Sequence, residues 1–306
     1  MFEGFALQHV DADGVSIRTR HRLSPDKPPL LLLHGNPQTH YMWHAVAPRL
    51  AERFSVVAPD LTGYGASAKP ATTPDHAPYS KRSMARDQVA LMRRLGFARF
   101  FVAGHDRGAR VAYRMALDHP DRVARVAVLD IVPTWEAYRR ADMAFGLSYF
   151  HWFFMTQPFD LPERLIGADP EFYWRRHTSR EPKGPDFFAG EALADYLRCF
   201  RDPATIHAIC EDYRAAAGID MAHDKADRDA GRRIEPPLLA LWGAKGRLQA
   251  WYDVLAIWRD WAREVRGRAL DCGHYLPEER PQDVLAEFET FFVEGATGGG
   301  RRETPG

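Results

Sequence analysis

Nine residues, Phe101-Val-Ala-Gly-His-Asp-Arg-Gly-Ala109, constrain this chain more than any other stretch. An apolar run meets a helical pattern across a sharp turn, with Gly104 and Gly108 two positions either side of Asp106. A turn that tight, with both neighbours packed close to the backbone, needs residues without a Cβ. The spacing is that of G-x-S-x-G, in which a strand-to-helix corner lifts a nucleophile clear of the sheet, with aspartate in place of serine. An aspartate there has a competing use as a helix N-cap.

The surrounding pattern fits such a corner. Strand signals at Pro29–His34, Ser55–Ala58, Phe100–Ala103 and Val123–Leu129 alternate with helical ones at Met42–Phe54, Lys81–Leu95 and Arg107–Asp118, the rhythm of parallel βαβ units. Phe5–Val10 and Val15–Arg20 flank Asp13-Gly14 and read as a hairpin. After Pro133 the chain turns aromatic, charged and helical as far as Arg233, broken by Pro158, Pro162, Pro170, Pro182 and Pro185. Strand character returns at Pro237–Trp242 and near Ala269, with helices at Asp253–Arg263 and Gln282–Val293. The expected organisation is a core of residues 1–133 and 234–294, a helical cap of residues 134–233 set between two strands, and a disordered Gly/Arg-rich tail, 295–306.

A length of 306 residues and 45% apolar composition suit one large core with an inserted lobe. Lysine plus arginine equals aspartate plus glutamate, 41 each, which argues against nucleic acid or an anionic membrane as the main partner. Cys199, Cys210 and Cys272 are an odd number without a CxxC pair, so neither a disulfide framework nor a zinc site is expected. The start, Met1-Phe2-Glu3-Gly4, has no signal-like character and no apolar run is long enough to span a bilayer, so a cytoplasmic location is the default.

Two further segments give Asp106 chemical company. The loop His34-Gly-Asn-Pro37 follows a strand where backbone N–H groups of Asn36 and Arg107 can form an oxyanion hole. His274, in Asp271-Cys-Gly-His274, follows a late short strand and is the candidate base. The segment Leu241–Arg247 lacks a carboxylate, and Asp253 lies in the helix beyond. Asp130, at the end of the buried strand Val128-Leu-Asp-Ile-Val132, is therefore assigned to orient His274; its other reading is a turn residue closing a strand.

A carboxylate nucleophile is ionised at neutral pH without help from a base. It suits displacement at an sp³ carbon, giving an ester that water activated by His274 can hydrolyse. This chemistry calls for no metal and no organic cofactor. Arg107 and Arg110, three residues apart on the first helical turn, suggest a carboxylate on the substrate, against the alternative of a solvated helix face. Arg114 continues the stripe and reads as solvated surface.

These residues resemble the fluoroacetate dehalogenases, a branch of the α/β-hydrolases with a helical cap. The resemblance runs from Pro28 to about Phe292. It rests on His34-Gly-Asn-Pro-Gln-Thr-His40, Gly104-His-Asp-Arg-Gly-Ala-Arg110, Leu129-Asp-Ile-Val-Pro-Thr134, Tyr149-Phe-His-Trp152, Cys210-Glu-Asp-Tyr-Arg-Ala215 and Gly273-His274. It implies an α/β-hydrolase fold: a mostly parallel sheet, helices on both faces and an inserted cap. It implies Asp106 as nucleophile, His274 as base, Asp130 as its partner, Arg107 and Arg110 as the substrate clamp, and His151, Trp152 and Tyr213 as a halide cradle. A homodimer acting on a small haloacid is implied as well.

The cradle is chemically sensible, since imidazole N–H, indole N–H and phenol O–H are neutral donors that can converge on a leaving halide. Without the resemblance, His151 and Trp152 read as aromatic cap packing and Tyr213 as an ordinary helix residue. Two departures stand out. Asn36 replaces an aromatic residue in HGxP, and the segment Trp174–Pro182 is short and lacks a pocket-closing tryptophan, which favours chloro- or bromoacetate over fluoroacetate. An epoxide hydrolase would use the same aspartate and histidine with two cap tyrosines, from Tyr138, Tyr149, Tyr173, Tyr196 and Tyr213. A haloalkane dehalogenase would carry tryptophan where Arg107 stands, and a non-catalytic receptor would have no need of Asp106, Asp130 and His274 together.

Overall fold

The computed structural model describes residues 1–179 and 187–296. Eight strands form one sheet: β1 (Ala6–Ala12), β2 (Val15–Arg22), β3 (Pro29–Leu33), β4 (Ser55–Pro59), β5 (Phe100–His105), β6 (Val123–Leu129), β7 (Leu238–Gly243) and β8 (Val265–Leu270). Their spatial order is β1-β2-β4-β3-β5-β6-β7-β8. The hairpin β1–β2 and the pair β2–β4 are antiparallel, and all pairs from β4 to β8 are parallel.

Burial explains the strand sequences. Every residue of β3, β4, β5 and β7 is buried, so these strands are apolar on both faces rather than alternating. Leu30 to Leu33 have no exposed surface, and each contributes about 2 kcal/mol by leaving water. The outer strand β1 is mostly exposed and carries the polar residues Gln8, His9 and Asp11.

The helices Lys81–Arg94, Arg107–Asp118 and Val254–Trp261 fall where the pattern places them. The helix expected over Met42–Phe54 is instead a 3₁₀ turn, His40–Trp43, followed by the short helix Ala47–Leu50. Pro48 sits in the first turn of that short helix, and proline disfavours helix in the residues before it. The last helix, Pro281–Ala296, runs two residues into the stretch expected to be tail, and residues 297–306 lie outside the described ones.

Between β6 and β7 the chain leaves the sheet for a helical insertion. Its helices include Thr134–Arg139, His151–Phe154, Leu161–Ala168, Pro170–Thr178, Gly190–Phe200, Pro203–Ala215 and Met221–Asp229, with a π-helical turn, Ala216–Asp220, before the last. Large exposed apolar side chains concentrate here, among them Met143, Leu147, Phe150, Phe159, Leu165 and Phe172. Among the described residues, no helix is long and apolar enough to cross a membrane.

Candidate active site

The parallel strands all point their carboxyl ends at one edge of the sheet, where ligands of such sheets bind. Asp106 follows β5, Asp130 follows β6, Asn36 follows β3 and His274 follows β8, so four segments far apart in sequence meet there. Asp106 has φ 46° and ψ −114° and makes no capping hydrogen bond. A cap residue has extended backbone, so the N-cap reading fails. A positive φ in a residue with a side chain costs about 1–3 kcal/mol and persists only where the surroundings impose it. Here they do: a Cβ on Gly104 would run into the carbonyl group of Gly108, and one on Gly108 into that of His34.

Asp106 is nine-tenths buried, and its Oδ2 accepts the Asn36 backbone N–H at 3.0 Å. The Asn36 loop is itself tied down, because His34 Nε2 accepts the Leu61 N–H at 2.9 Å. Arg107 opens the helix, a position whose N–H has no partner within the helix. Burial raises the Asp106 pKa, but the charges of His274, Arg107, His105 and Arg110 outweigh it and bring the group to about 2. It is a carboxylate at neutral pH.

Asp130 has φ 55° and also serves as more than a turn residue. Its Oδ1 accepts the Gly243 N–H at 2.9 Å, and its Oδ2 lies 2.6 Å from His274 Nδ1. That bond places the His274 proton on Nδ1 and leaves Nε2 for chemistry. Burial pulls the His274 pKa down, but the hydrogen bond and charge of Asp130, and then the charge of Asp106, raise it above 6.5. Asp253, the other acid considered, caps its helix through the Ala256 N–H at 3.0 Å. His105 was not singled out from sequence; its Nε2 donates to the His274 carbonyl at 2.7 Å, and burial lowers its pKa to about 3.

The arginines are buried, which removes the solvated-face reading for Arg107 and Arg110. Arg107 donates from Nε and Nη2 to Asp212 at 2.9 and 2.7 Å, and its Nη1 is buried without a partner. Arg110 donates from Nη1 to the Val132 carbonyl and Thr134 Oγ1 at 3.2 and 3.0 Å, leaving Nε buried and unpartnered. The surface reading of Arg114 is wrong. It is 1% exposed and pairs with Asp118, Asp224 and Asp227, because helices of the insertion cover that side of its helix.

His151, Trp152 and Tyr213 do come together. Tyr213 lies 5.9 Å from His151 and 6.3 Å from Trp152, ring centre to ring centre. Arg107 stacks on Tyr213 at 4.2 Å and Arg110 on Trp152 at 4.7 Å, which joins the two arginines to the cluster of rings. Burial, then His177, drives the His151 pKa well below 6.5, so the ring is neutral. His177 itself, from the segment expected to lack a pocket-closing tryptophan, packs edge-on to His151 at 4.5 Å.

Other residues of the site escaped the sequence reading. Asp212 anchors Arg107, accepts from Tyr64 Oη at 2.6 Å and pairs with Lys81. Tyr138, which the sequence offered only as one of five cap tyrosines, packs on Trp152 at 5.0 Å with its hydroxyl buried and unpartnered. Burial raises the Tyr138 pKa to about 12 against the pull of Arg107 and Arg110. Away from the pocket, Glu163, His207 and Glu211 bring potential ligand atoms within 4.8 Å of one another. Arg214 Nη1 already bridges those two carboxylates at 2.6 and 2.7 Å, so a cation would face a guanidinium there.

The family model described as alpha/beta hydrolase fold matches residues 28–281. The chain belongs to that family. A fluoroacetate dehalogenase of Burkholderia sp. is 43% identical to this α/β-hydrolase over 299 residues, covering 97% of each chain. A soluble epoxide hydrolase of Corynebacterium sp. (strain C12) is 36% identical over 269 residues, 87% of this chain and 90% of that one. Among solved structures, a putative alpha/beta hydrolase from Nostoc sp. PCC 7120 superposes with a TM-score of 0.92 at 52% identity, covering 96% of this chain and 99% of that one. The α/β-hydrolase thus has relatives bearing the names of both enzyme classes that its sequence suggests.

Proposed function

We propose that this α/β-hydrolase removes halide from a short 2-haloacid such as fluoroacetate or chloroacetate, giving the 2-hydroxyacid. The observation that carries the reading is the pair of unpartnered guanidinium N–H groups, Arg107 Nη1 and Arg110 Nε, buried beside Asp106. Charged donors left unpaired in a closed pocket cost more than neutral ones, and a substrate carboxylate would satisfy both. A neutral substrate would leave them as they are.

In this reading the Asp106 carboxylate attacks the carbon bearing the halogen from the side opposite the leaving group. The new C–O bond forms as the C–X bond breaks, with inversion at a chiral carbon. Halide departs towards His151, Trp152 and Tyr213, whose neutral donors meet charge that is absent from the ground state. The product is an ester of Asp106. His274 Nε2 then takes a proton from water, and the hydroxide formed adds to the Asp106 carbonyl carbon. The oxygen of that carbonyl gains negative charge within reach of the Asn36 and Arg107 N–H groups. Collapse breaks the bond to the former ester oxygen, which takes the proton held by His274 and leaves as the 2-hydroxyacid, and the carboxyl restored on Asp106 loses its proton to solvent.

The test is the intact mass of His274→Asn after incubation with chloroacetate or fluoroacetate. The expected result is a carboxymethyl adduct on Asp106 that persists, since the base for the second step is gone. An adduct with epoxides and none with any haloacid would overturn the reading in favour of an epoxide hydrolase. That second reading has its own support: burial first, then the charges of Asp130 and Asp106 for Tyr149 and of Asp106 for Tyr213, hold both phenols protonated, so two proton donors lie in the neighbourhood of Asp106. A homodimer would cover exposed apolar side chains of the insertion, and light scattering in solution checks its mass.

A further inference from the structure

Lysine is almost never fully buried unless paired, and Lys81 is 1% exposed. It begins the core helix Lys81–Arg94 and reaches two carboxylates of the insertion, pairing with Asp212 and, at 3.4 Å, with Asp220. Its backbone N–H also donates to Asp220 Oδ1 at 2.8 Å. Both aspartates are buried. With Arg107, which pairs with Asp212, they make a buried set of two cations and two carboxylates.

Asp212 and Asp220 stand eight residues apart on one continuous helical run. In an unbroken α-helix that spacing turns the second side chain about 80° away from the first. The π-helical turn Ala216–Asp220 lies between them and takes in an extra residue. The effective spacing falls to about seven residues and the angular difference to about 20°. Asp212 and Asp220 therefore face Lys81 together.

Lys81 Nζ and Arg107 Nη2 meet at the same oxygen, Asp212 Oδ1, while Arg107 Nε and Tyr64 Oη donate to Oδ2. Asp212 is thus saturated, and Arg107 Nη1 is left buried without a partner. Without Lys81 the set would hold one cation against two carboxylates. Asp212 would then neutralise Arg107, and Asp220 would add an unpaired negative charge. We propose that Lys81 is the counter-charge that keeps the free edge of Arg107 open to a substrate carboxylate, a positioning residue that acts through Asp212 and is itself held by Asp220. The proposal rests on the haloacid reading for the group that is bound. It makes acceptance of an anion depend on a lysine that acts on the substrate only through Asp212 and Arg107.

The experiment separates binding from bond breaking. In the His274→Asn background, single-turnover ester formation is followed by mass over a range of chloroacetate concentrations, which gives the half-saturating concentration and the limiting rate. Lys81→Met should raise half-saturation about tenfold, the effect of one charge over roughly 10 Å at an effective dielectric of about 20, and change the limiting rate by less than about threefold. Lys81→Arg keeps the charge and should bind within about threefold of the parent. Asp220→Asn frees the Lys81 charge and should tighten binding about threefold. Lys81→Met combined with Asp220→Asn restores the balance of the set and should bind better than Lys81→Met alone. A double variant no better than Lys81→Met, or a loss confined to the limiting rate, would assign Lys81 to packing and overturn the proposal. Unchanged or weaker binding by Asp220→Asn would do the same, and that variant decides alone if circular dichroism shows Lys81→Met unfolded. No ester from any haloacetate while Lys81 is in place would overturn the haloacid reading instead, so the two failures are distinguishable.

Discussion

Asp106 and Asp212 are buried aspartates of one pocket, the first at a strand end of the sheet and the second on a helix of the insertion. Asp106 is held by its backbone: φ 46°, glycines that let three segments touch, and a single N–H on Oδ2. Asp212 is held by side chains, taking two hydrogen bonds from Arg107, one from Tyr64 and an ion pair from Lys81. Both are ionised, since burial raises each and neighbouring cations outweigh it. The difference is saturation. A carboxylate whose lone pairs are all engaged is a structural post, whereas one engaged through a single N–H can still attack carbon.

The sharpest way to break the comparison is to disturb the backbone on which Asp106 depends. Gly108→Ala sets a methyl group against the His34 carbonyl, and Gly104→Ala sets one against the Gly108 carbonyl. Neither touches a side chain of the pocket. On the proposed function, the expected loss of haloacid turnover is at least about a thousandfold, because displacing an attacking carboxylate by an ångström already costs about a hundredfold and the Asn36 N–H moves with it. Halide release measured beside circular dichroism decides the point. Activity within tenfold of the parent would mean that the corner tolerates a Cβ and that the geometric account of Asp106 is wrong.

Next comes the post. Asp212→Asn keeps the shape but leaves Arg107 and Lys81 buried with a neutral partner, and breaking such a pair costs about 3–5 kcal/mol. Urea unfolding should report that loss, with turnover reduced about a hundredfold as Arg107 shifts. Because Asp212 is held below its ordinary pKa, its contribution is present above the unfolded-state value. It is lost as pH falls through the folded one. The stability gap between parent and variant should therefore close in acid. A loss below about 1 kcal/mol at neutral pH would show Asp212 to be dispensable as an anchor.

The same contrast explains what could be read in advance. The strands, the corner at Asp106 and the partners Asp130 and His274 depend on local pattern, namely apolar runs, glycine spacing and the ends of strands. Such features survive as one-dimensional signals. Asp212, Lys81 and Tyr64 depend on which face of which helix meets another, and nothing near them in sequence encodes that. Arg114 went astray for this reason: a charged stripe looks solvated until a second layer of helices is known to cover it. His151, Trp152 and Tyr213 were reached only through family resemblance. His177 does not stand out even so, because the resemblance directs attention to a pocket-closing tryptophan and not to a histidine in that segment.

The smallest expected effect concerns pH, and it separates the two chemical steps. In the proposed mechanism attack needs ionised Asp106, whose pKa is brought down to about 2, so ester formation should be flat from about pH 5 upwards. Hydrolysis needs neutral His274, whose pKa lies above 6.5 in the free enzyme partly because Asp106 is charged. Forming the ester removes that charge. His274 therefore becomes easier to deprotonate at the stage when it must act as base. A group with a raised pKa loses its proton as pH rises, so kcat should climb with pH and level off at a pKa below that of free His274. Below that value kcat should fall about tenfold per pH unit while kcat/KM stays level. Acid-quenched samples taken at about pH 5 should hold more Asp106 ester than samples at about pH 8. Equal ester levels at both values, with kcat unchanged, would remove His274 from the hydrolytic step.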